Sequence, residues 1–395
     1  MSDAPVAASR RTLLKTVAAA PLYIPYSAFG ANGRVNYACI ATGGRGRYLM
    51  SKFKALGAEC TAICDVYEPN LDKAAEIAPG AKRYLDYGEL LAAHKDLDAV
   101  VLAGPDHHHW PMLKAALRAK KDAYAEKPLS YTLEQSQEMV AAVKASRQIV
   151  QVGMQRRSAP AIHKAKKLVD DGVLGRITVV KPQWHWNVSA PLDNSPLPGK
   201  LDWKRFLGTA RQRPLEPMRF RRWRYFFDYA GGNMTDQGTH LMDVVQWFTN
   251  NGAPRSAVAQ GYVAKMTGSE HPDVFSAVFE YPGLIVNWTL DYANSYHNGW
   301  SITFLGDKGT MILDEEGYRV YAEPWKASNP PIFEEKAPVP IEAHIQNFLD
   351  CLKSRQQPNC TVDIAAAAVA GPHLANLAMF QGKKVRLENG MQVSG

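Results

Sequence analysis

The chain is 395 residues long, 46% apolar and 21% charged, with a mean hydropathy of −0.27, the make-up of a globular protein with room for two domains. Its formal charge of +8 is spread along the chain apart from an N-terminal group, Arg10, Arg11 and Lys15, and a cluster at Arg219–Arg224, too diffuse a pattern for a nucleic-acid partner. Cys39, Cys60, Cys64, Cys351 and Cys360 form no CxxC pair and no zinc spacing with histidine, which argues against a disulfide framework or thiolate metal centre and for buried free thiols.

In chain order, Ser9-Arg10-Arg11-Thr12-Leu13-Leu14-Lys15 precedes an Ala-rich apolar stretch, Thr16–Phe29, and reads as a twin-arginine export signal. Residues 1–31 are therefore set apart from the fold, and a periplasmic or otherwise exported protein is expected. No apolar run elsewhere is expected to span a membrane. From Arg34, short strands alternate with helices: Val35–Ile40, a helix to Leu56, Glu59–Asp65, Pro69–Ala78, Lys82–Tyr84, Tyr87–Ala93, Ala99–Leu102, Trp110–Ala119, Asp122–Ala125, Leu133–Ser146 and Ile149–Val152. Strict β/α alternation predicts an α/β, doubly wound parallel sheet of Rossmann type over 34–153. From 154 to 395 the pattern changes to that of an α+β domain. A helix over Pro160–Asp171 and a strand over Ile177–Asn187 lead through a Pro-rich connection, Pro191–Pro217, to a helix over Gly238–Phe248. Strands then follow one another at Arg255–Lys265, Val274–Glu280, Ile285–Leu290, Trp300–Leu305, Gly309–Asp314 and Tyr318–Ala322. Turns such as Tyr281-Pro282-Gly283 make these a mainly antiparallel sheet, closed by helices Ile341–Ser354 and Asp363–Gln381.

Ala41-Thr42-Gly43-Gly44-Arg45-Gly46 follows the first strand and opens a helix, where glycines let the backbone approach a pyrophosphate and the helix N-terminus faces its charge. Ala41 stands where the first fingerprint glycine falls, so the turn alone does not separate a nucleotide site from a plain loop. Asp65, at the end of the second strand, adds the carboxylate that accepts a ribose 2′-hydroxyl and repels a 2′-phosphate, which favours NAD over NADP.

Gly104-Pro105-Asp106-His107-His108-His109 and Tyr124-Ala125-Glu126-Lys127-Pro128 end the fourth and fifth strands, at the carboxyl edge of the sheet where ligands bind. Three consecutive histidines cannot all face one ion from a regular element, so no metal site is expected. Pro105, Asp106 and His109 are instead expected in a capping turn that lines the cofactor, together with Glu126, Lys127 and Gln155. Lys127 is also placed to reach a substrate hydroxyl. In the second half, Asp236, His240 and Asp243 at i, i+4 and i+7 share one helix face. A carboxylate beside an imidazole would tune it as a general base; the same spacing fits a polar face that is merely solvated.

Taken together and in this order, Ala41–Gly46, Asp65, Glu126-Lys127-Pro128 and Asp236-x-Gly238-x-His240-x-x-Asp243 resemble the Gfo/Idh/MocA family of glucose-fructose oxidoreductases and inositol dehydrogenases. The resemblance runs from about Arg34 to the end. It implies a C-terminal domain with a large open sheet, through which the chain would form a homodimer or tetramer. It also implies Lys127 as catalytic lysine, Asp236 as a hydroxyl contact and His240 as acid/base. Substrate candidates are Arg156, Trp184, His185, Trp186, Arg224 and Tyr225, with Tyr292, Tyr296, His297 and Trp300 as weaker ones. Trp184 and Trp186 share one face of their strand and suit stacking on a sugar, although they equally suit packing of the sheet. Three functions fit. The first is hydride transfer on a sugar or polyol by a tightly bound NAD. The second is a glycosidase that oxidises C3 transiently, eliminates the C1 group, adds water and reduces again. The third is a non-catalytic NAD-bound sugar sensor.

Overall fold

A computed structural model describes residues 33–388 and 391–394; the export-signal expectation lies outside the described residues. The N-terminal part alternates β1 (Asn36–Ile40), α1 (Gly44–Ala55), β2 (Glu59–Cys64), α2 (Glu68–Ile77), β3 (Lys82–Tyr84), α3 (Tyr87–Ala93), β4 (Ala99–Leu102), α4 (Asp106–Arg118), β5 (Asp122–Ala125), α5 (Leu133–Lys144) and β6 (Val150–Val152). The six strands are parallel in the order β3-β2-β1-β4-β5-β6, the Rossmann order. Chain direction across the sheet reverses between β1 and β4, which opens a crevice above their carboxyl ends. β4 and β5 are buried at every residue, as strands covered on both faces must be.

The second part comprises α6 (Pro160–Asp170), β7 (Ile177–His185), α7 (Trp203–Leu207), α8 (Pro217–Arg221), α9 (Gly232–Asp236), α10 (Gly238–Thr249), β8 (Ser256–Tyr262), β9 (Val274–Tyr281), β10 (Leu284–Asp291), β11 (Gly299–Gly306), β12 (Gly309–Asp314), β13 (Gly317–Ala322), β14 (Phe333–Lys336), α11 (Ile341–Ser354), α12 (Val362–Gln381), β15 (Val385–Glu388) and β16 (Met391–Ser394). Its strands form one ten-stranded sheet, β14-β13-β12-β11-β7-β10-β9-β8-β15-β16, antiparallel except for the central pair β7–β10. Along β10, Leu284, Val286, Trp288 and Leu290 point to the helix-covered face and Ile285, Asn287 and Thr289 away from it. Strands β14, β15 and β16 were not expected from sequence; they are four residues each, too short to show a periodic pattern.

The two C-terminal helices do not simply close the second domain. Ile341, Ile345, Phe348 and Leu352 of α11 share a core with Tyr37, Leu49, Phe53 and Tyr124 on one face of the parallel sheet. On its other face, Val362, Ala365, Ala368 and Val369 of α12 join Ile40, Val100, Leu113 and Met139, while Leu374, Ala375 and Ala378 enter the core of the ten-stranded sheet. Helix α12 is thus apolar on all sides because it is buried between two cores. It is also long and apolar enough to cross a membrane by length and composition, contrary to expectation, but 67% of its most apolar window is buried in the protein.

The Pro-rich connection is folded. It crosses back to the Rossmann part, where Tyr67 bridges Leu201 and the Asp202 amide donates to the Val66 carbonyl at 2.8 Å. Phe206, Leu207, Phe226 and Tyr229 give this strap its own small core.

Candidate active site

The crevice above β1 and β4 opens into a cavity of about 710 Å³. One wall is the turn Ala41–Arg45 with Asp65, Asp86, Pro105, His108 and Met112; the other is the strap, through Arg205, Phe206, Arg221, Trp223 and Arg224. At Gly43 and Gly44 an added Cβ would meet nothing within 4 Å, and helix α1 begins at Gly44, with no side-chain cap from Gly43 before it and no acidic residue in its first turn. Its first amides are therefore free for an anion. A Cβ on Gly46 would lie 2.2 Å from the Ala41 oxygen, so only glycine lets helix and strand approach this closely. Ala41 itself has φ of 68°, the conformation for which a fingerprint glycine is normally used. Asp65 accepts from the amides of Thr42 (2.7 Å) and Tyr67 (2.9 Å), which fixes its carboxylate on the cavity wall. Burial raises its pKa and these bonds oppose the rise. An uncapped helix start, glycines open to the cavity and a fixed carboxylate fit a bound dinucleotide.

Several expected cofactor contacts take other places. Glu126 is turned from the cavity and pairs with Arg45 through Nε and Nη2, both at 2.8 Å, tying the phosphate turn to the end of β5. Helix α4 begins at Asp106, four residues before its expected start, and this puts the histidines in its first turn. His109 is consequently buried, with its ring nitrogens 2.6 Å from the Pro128 carbonyl and 2.9 Å from that of Gly104; His108 lines the cavity instead. Asp106 is buried beside the second domain, where Gly231 donates weakly to it at 3.5 Å. Burial and then Asp236 push its pKa up to about 7, against the pull of Arg224 and Lys127. Gln155 follows β6 with its Oε1 buried and unpartnered.

Lys127 and the Asp236/His240 face come together from the two domains. Lys127 Nζ lies 2.5 Å from Asp236 Oδ1 and 2.9 Å from the Asp236 main-chain oxygen, and Arg224 Nε is 3.2 Å from the same Oδ1. Burial would raise the Asp236 pKa, but Lys127 and Arg224 outweigh it and hold the carboxylate well below its usual range. Gln237 keeps helical angles between α9 and α10, so Asp236, His240 and Asp243 do share a face. The expected pairing of a carboxylate with the imidazole is absent, because stronger partners take both carboxylates: Asp243 binds Arg157 Nε at 2.7 Å. His240 is 7% exposed, and its Nδ1 is buried with no hydrogen-bond partner among the described residues. Burial, Lys127 and Arg156 lower its pKa far below the usual value, so it is a neutral imidazole.

Around this cluster Trp184 stands 6.5 Å from His240 and 5.2 Å from Trp186, whose ring lies 5.6 Å from Tyr292. Arg156 stacks 3.9 Å over Trp300. Tyr225 is buried next to Arg224, its pKa raised by burial and by Asp236. His185 points to the opposite face of β7 with Nδ1 2.9 Å from the Tyr296 carbonyl, and Tyr296 is exposed; neither joins the site, nor does the adjoining His297. Arg219 is bound to Glu216 and Glu270 and braces the strap. Asp86 and Arg205 were missed from sequence, since only the path of the strap over the Rossmann edge brings them to the cavity. Among the described residues no group of three or more His, Cys, Asp or Glu is placed to hold a metal.

A family profile described as an oxidoreductase family with an NAD-binding Rossmann fold matches residues 35–154, and the GFO/IDH/MocA C-terminal domain matches residues 162–312. The chain belongs to the Gfo/Idh/MocA family. Its N-terminal domain is the NAD-binding unit of that family. An inositol 2-dehydrogenase/D-chiro-inositol 3-dehydrogenase of Lactiplantibacillus plantarum is 32% identical over 135 residues, 34% of this chain and 38% of that relative's length. Among solved structures, the WlbA dehydrogenase of Bordetella pertussis in complex with NADH and UDP-GlcNAcA superposes with a TM-score of 0.70 at 20% identity, over 90% of this chain and 99% of that one. Levoglucosan dehydrogenase in complex with NADH and levoglucosan gives 0.71 at 18% identity, over 89% and 99%. At these identities the two structures speak for the Gfo/Idh/MocA fold.

Proposed function

We propose that the protein is an NAD-dependent oxidoreductase that transfers hydride between the nicotinamide and a carbinol carbon of a sugar, sugar derivative or polyol. The observation that carries this reading is the Lys127–Asp236 pair, joined across the domains at the carboxyl edge of the Rossmann sheet beside a neutral His240 whose buried Nδ1 has no partner among the described residues. NAD, when bound, supplies the hydride acceptor. Lys127 donates a hydrogen bond to the reacting oxygen and stabilises its developing negative charge; Asp236, itself bound by Arg224, holds that ammonium in place. His240, unprotonated at neutral pH, takes the hydroxyl proton. Trp184, Trp186 and Tyr292 offer ring faces to the sugar. The relatives' names, an inositol dehydrogenase and a levoglucosan dehydrogenase, support a polyhydroxylated substrate.

The strap across the cleft supports a cofactor that stays bound through turnover, which suits an exported enzyme because free NAD is scarce outside the cytoplasm. The face of the ten-stranded sheet opposite the helices exposes Val258, Tyr262, Val278 and Ile285, and this supports assembly into a dimer or tetramer through that face. The experiment is to identify copurified NAD(H) by mass spectrometry and then screen sugars and polyols for NADH formation with wild type and Lys127→Met. Turnover lost in the variant with NAD retained is the expected result. Cleavage of aryl glycosides without any acceptor would replace this reading with a redox-neutral glycosidase, and sugar binding without turnover would replace it with a sensor.

A further inference from the structure

Arg156 is 4% exposed, in the single helical turn Gln155–Ser158 that follows the last Rossmann strand. The other arginines that reach this region each have a carboxylate: Arg45 has Glu126, Arg157 has Asp243 and Arg224 has Asp236. Arg156 has none within ion-pair distance among the described residues. Its Nε and Nη1 are buried with no acceptor, and the neighbouring Trp184 Nε1 is equally unpartnered. The guanidinium lies 3.9 Å over the Trp300 ring and 5.5 Å from that of Trp184. Stacking uses the faces of a guanidinium and leaves its in-plane N–H donors idle. Burial draws its pKa down to about 9, with Asp243 and Glu315 opposing, so it stays cationic at neutral pH. A buried cation with idle donors is costly to hold in a folded protein, and an anionic ligand removes that cost. Trp184 in turn faces His240, so the idle donors belong to the side of the site where the substrate is expected.

We propose that Arg156, backed by Trp300 and Trp184, is the receptor for a carboxylate on the substrate, so that the sugar acted on is an acidic one of the hexuronate class rather than a neutral polyol. This rests on the sugar-oxidoreductase reading above and narrows its substrate. Planar, multiply donating guanidinium suits a carboxylate, and a sugar phosphate is the competing anion.

The test uses the NAD-loaded full chain, with glucuronate and galacturonate against glucose and galactose, and glucose 6-phosphate as a third arm. Binding is read by thermal shift and turnover by NADH formation. The wild type is expected to favour the uronates by about 100-fold in kcat/KM, ~2.8 kcal/mol at 1.4 kcal/mol per tenfold. Arg156→Gln is expected to bring that ratio close to one, mainly through KM, and Arg156→Lys to restore part of it, with retained NAD showing that both variants fold. Equal or better use of neutral sugars, a uronate preference that survives Arg156→Gln, or a response to the sugar phosphate alone overturns the proposal. If no sugar is turned over but uronates still bind in an Arg156-dependent way, the oxidoreductase reading fails and the carboxylate receptor stands. If no uronate binds, the receptor is overturned whatever is turned over.

Discussion

The Lys127–Asp236 contact makes an asymmetric prediction about stability. Asp236 has two cations on one oxygen, Lys127 at 2.5 Å and Arg224 at 3.2 Å, whereas among the described residues Lys127 ion-pairs with Asp236 alone. Asp236→Asn therefore leaves the largely buried Lys127 and the half-buried Arg224 without their anion, and breaking a buried pair in this way costs about 3–5 kcal/mol. Lys127→Met keeps the side-chain volume and leaves Asp236 with Arg224, so it loses little beyond a charged hydrogen bond, about 1.5–3 kcal/mol. In the double variant one of the two orphaned cations is gone, and its cost should fall short of the sum of the single ones by at least ~1 kcal/mol. Denaturant unfolding of the NAD-loaded and NAD-free protein at neutral pH, followed by tryptophan fluorescence, measures all three variants. The pH dependence supplies a second check. Because the folded Asp236 pKa is depressed, its contribution is full above the unfolded value of about 4 and is lost as pH falls from there towards the folded value. The gap between wild type and Asp236→Asn should therefore narrow below pH 4. Additive costs, or an Asp236→Asn variant no less stable than Lys127→Met, would refute the shared-carboxylate geometry.

Asp65→Asn should weaken NAD about tenfold and improve the use of NADP relative to NAD, as read from cofactor titrations, because it removes the charge that repels a 2′-phosphate. Asp106 carries the opposite sign to Asp236. Its folded pKa of about 7 lies above the unfolded value, so wild-type stability falls as pH rises from about 4 to 7; Asp106→Asn should lack that fall, and thermal melts at pH 5 and pH 7 compare the two. Phe348→Ala, some 200 residues beyond the end of the Rossmann strands, should destabilise the Rossmann core by about 3–5 kcal/mol, seen as loss of hydrogen-exchange protection in β1 and β5.

The Rossmann strands and the residues that cluster at their carboxyl ends were legible in the sequence because they depend on local backbone rules. A strand that ends in a turn puts the next residues at the edge, so Asp65 and Lys127 could be placed from spacing, and Asp236 and His240 could be put on one face from helical periodicity. Which partner each side chain takes is a non-local outcome. Asp236 was expected to tune His240 because the two are four residues apart, yet Lys127, 109 residues away, sits at 2.5 Å and wins by charge. The result reverses the electrostatics of the base: His240 is surrounded by cations, and its basicity is lowered instead of raised.

The same limit explains why residues around the cavity take other places than expected. Pro105 allowed α4 to begin at Asp106, and a start four residues early turns His109 inward and brings His108 to the cavity; propensity does not distinguish the two starts, since histidine is indifferent between a first turn and a loop. The outer wall is still less local. Proline-rich composition over 191–217 predicts an irregular connection, and the bridge of Leu201 to Tyr67 turns that connection into a lid over the nucleotide groove. Half of the cleft thus comes from glycines and a carboxylate whose purpose is readable at their own positions. The other half comes from Arg205, Trp223 and Arg224, which reach the cavity only because the strap crosses the sheet. Arg224 links both halves, since it lines the cavity and binds Asp236, so the strap and the carboxylate that orients Lys127 are joined through one side chain.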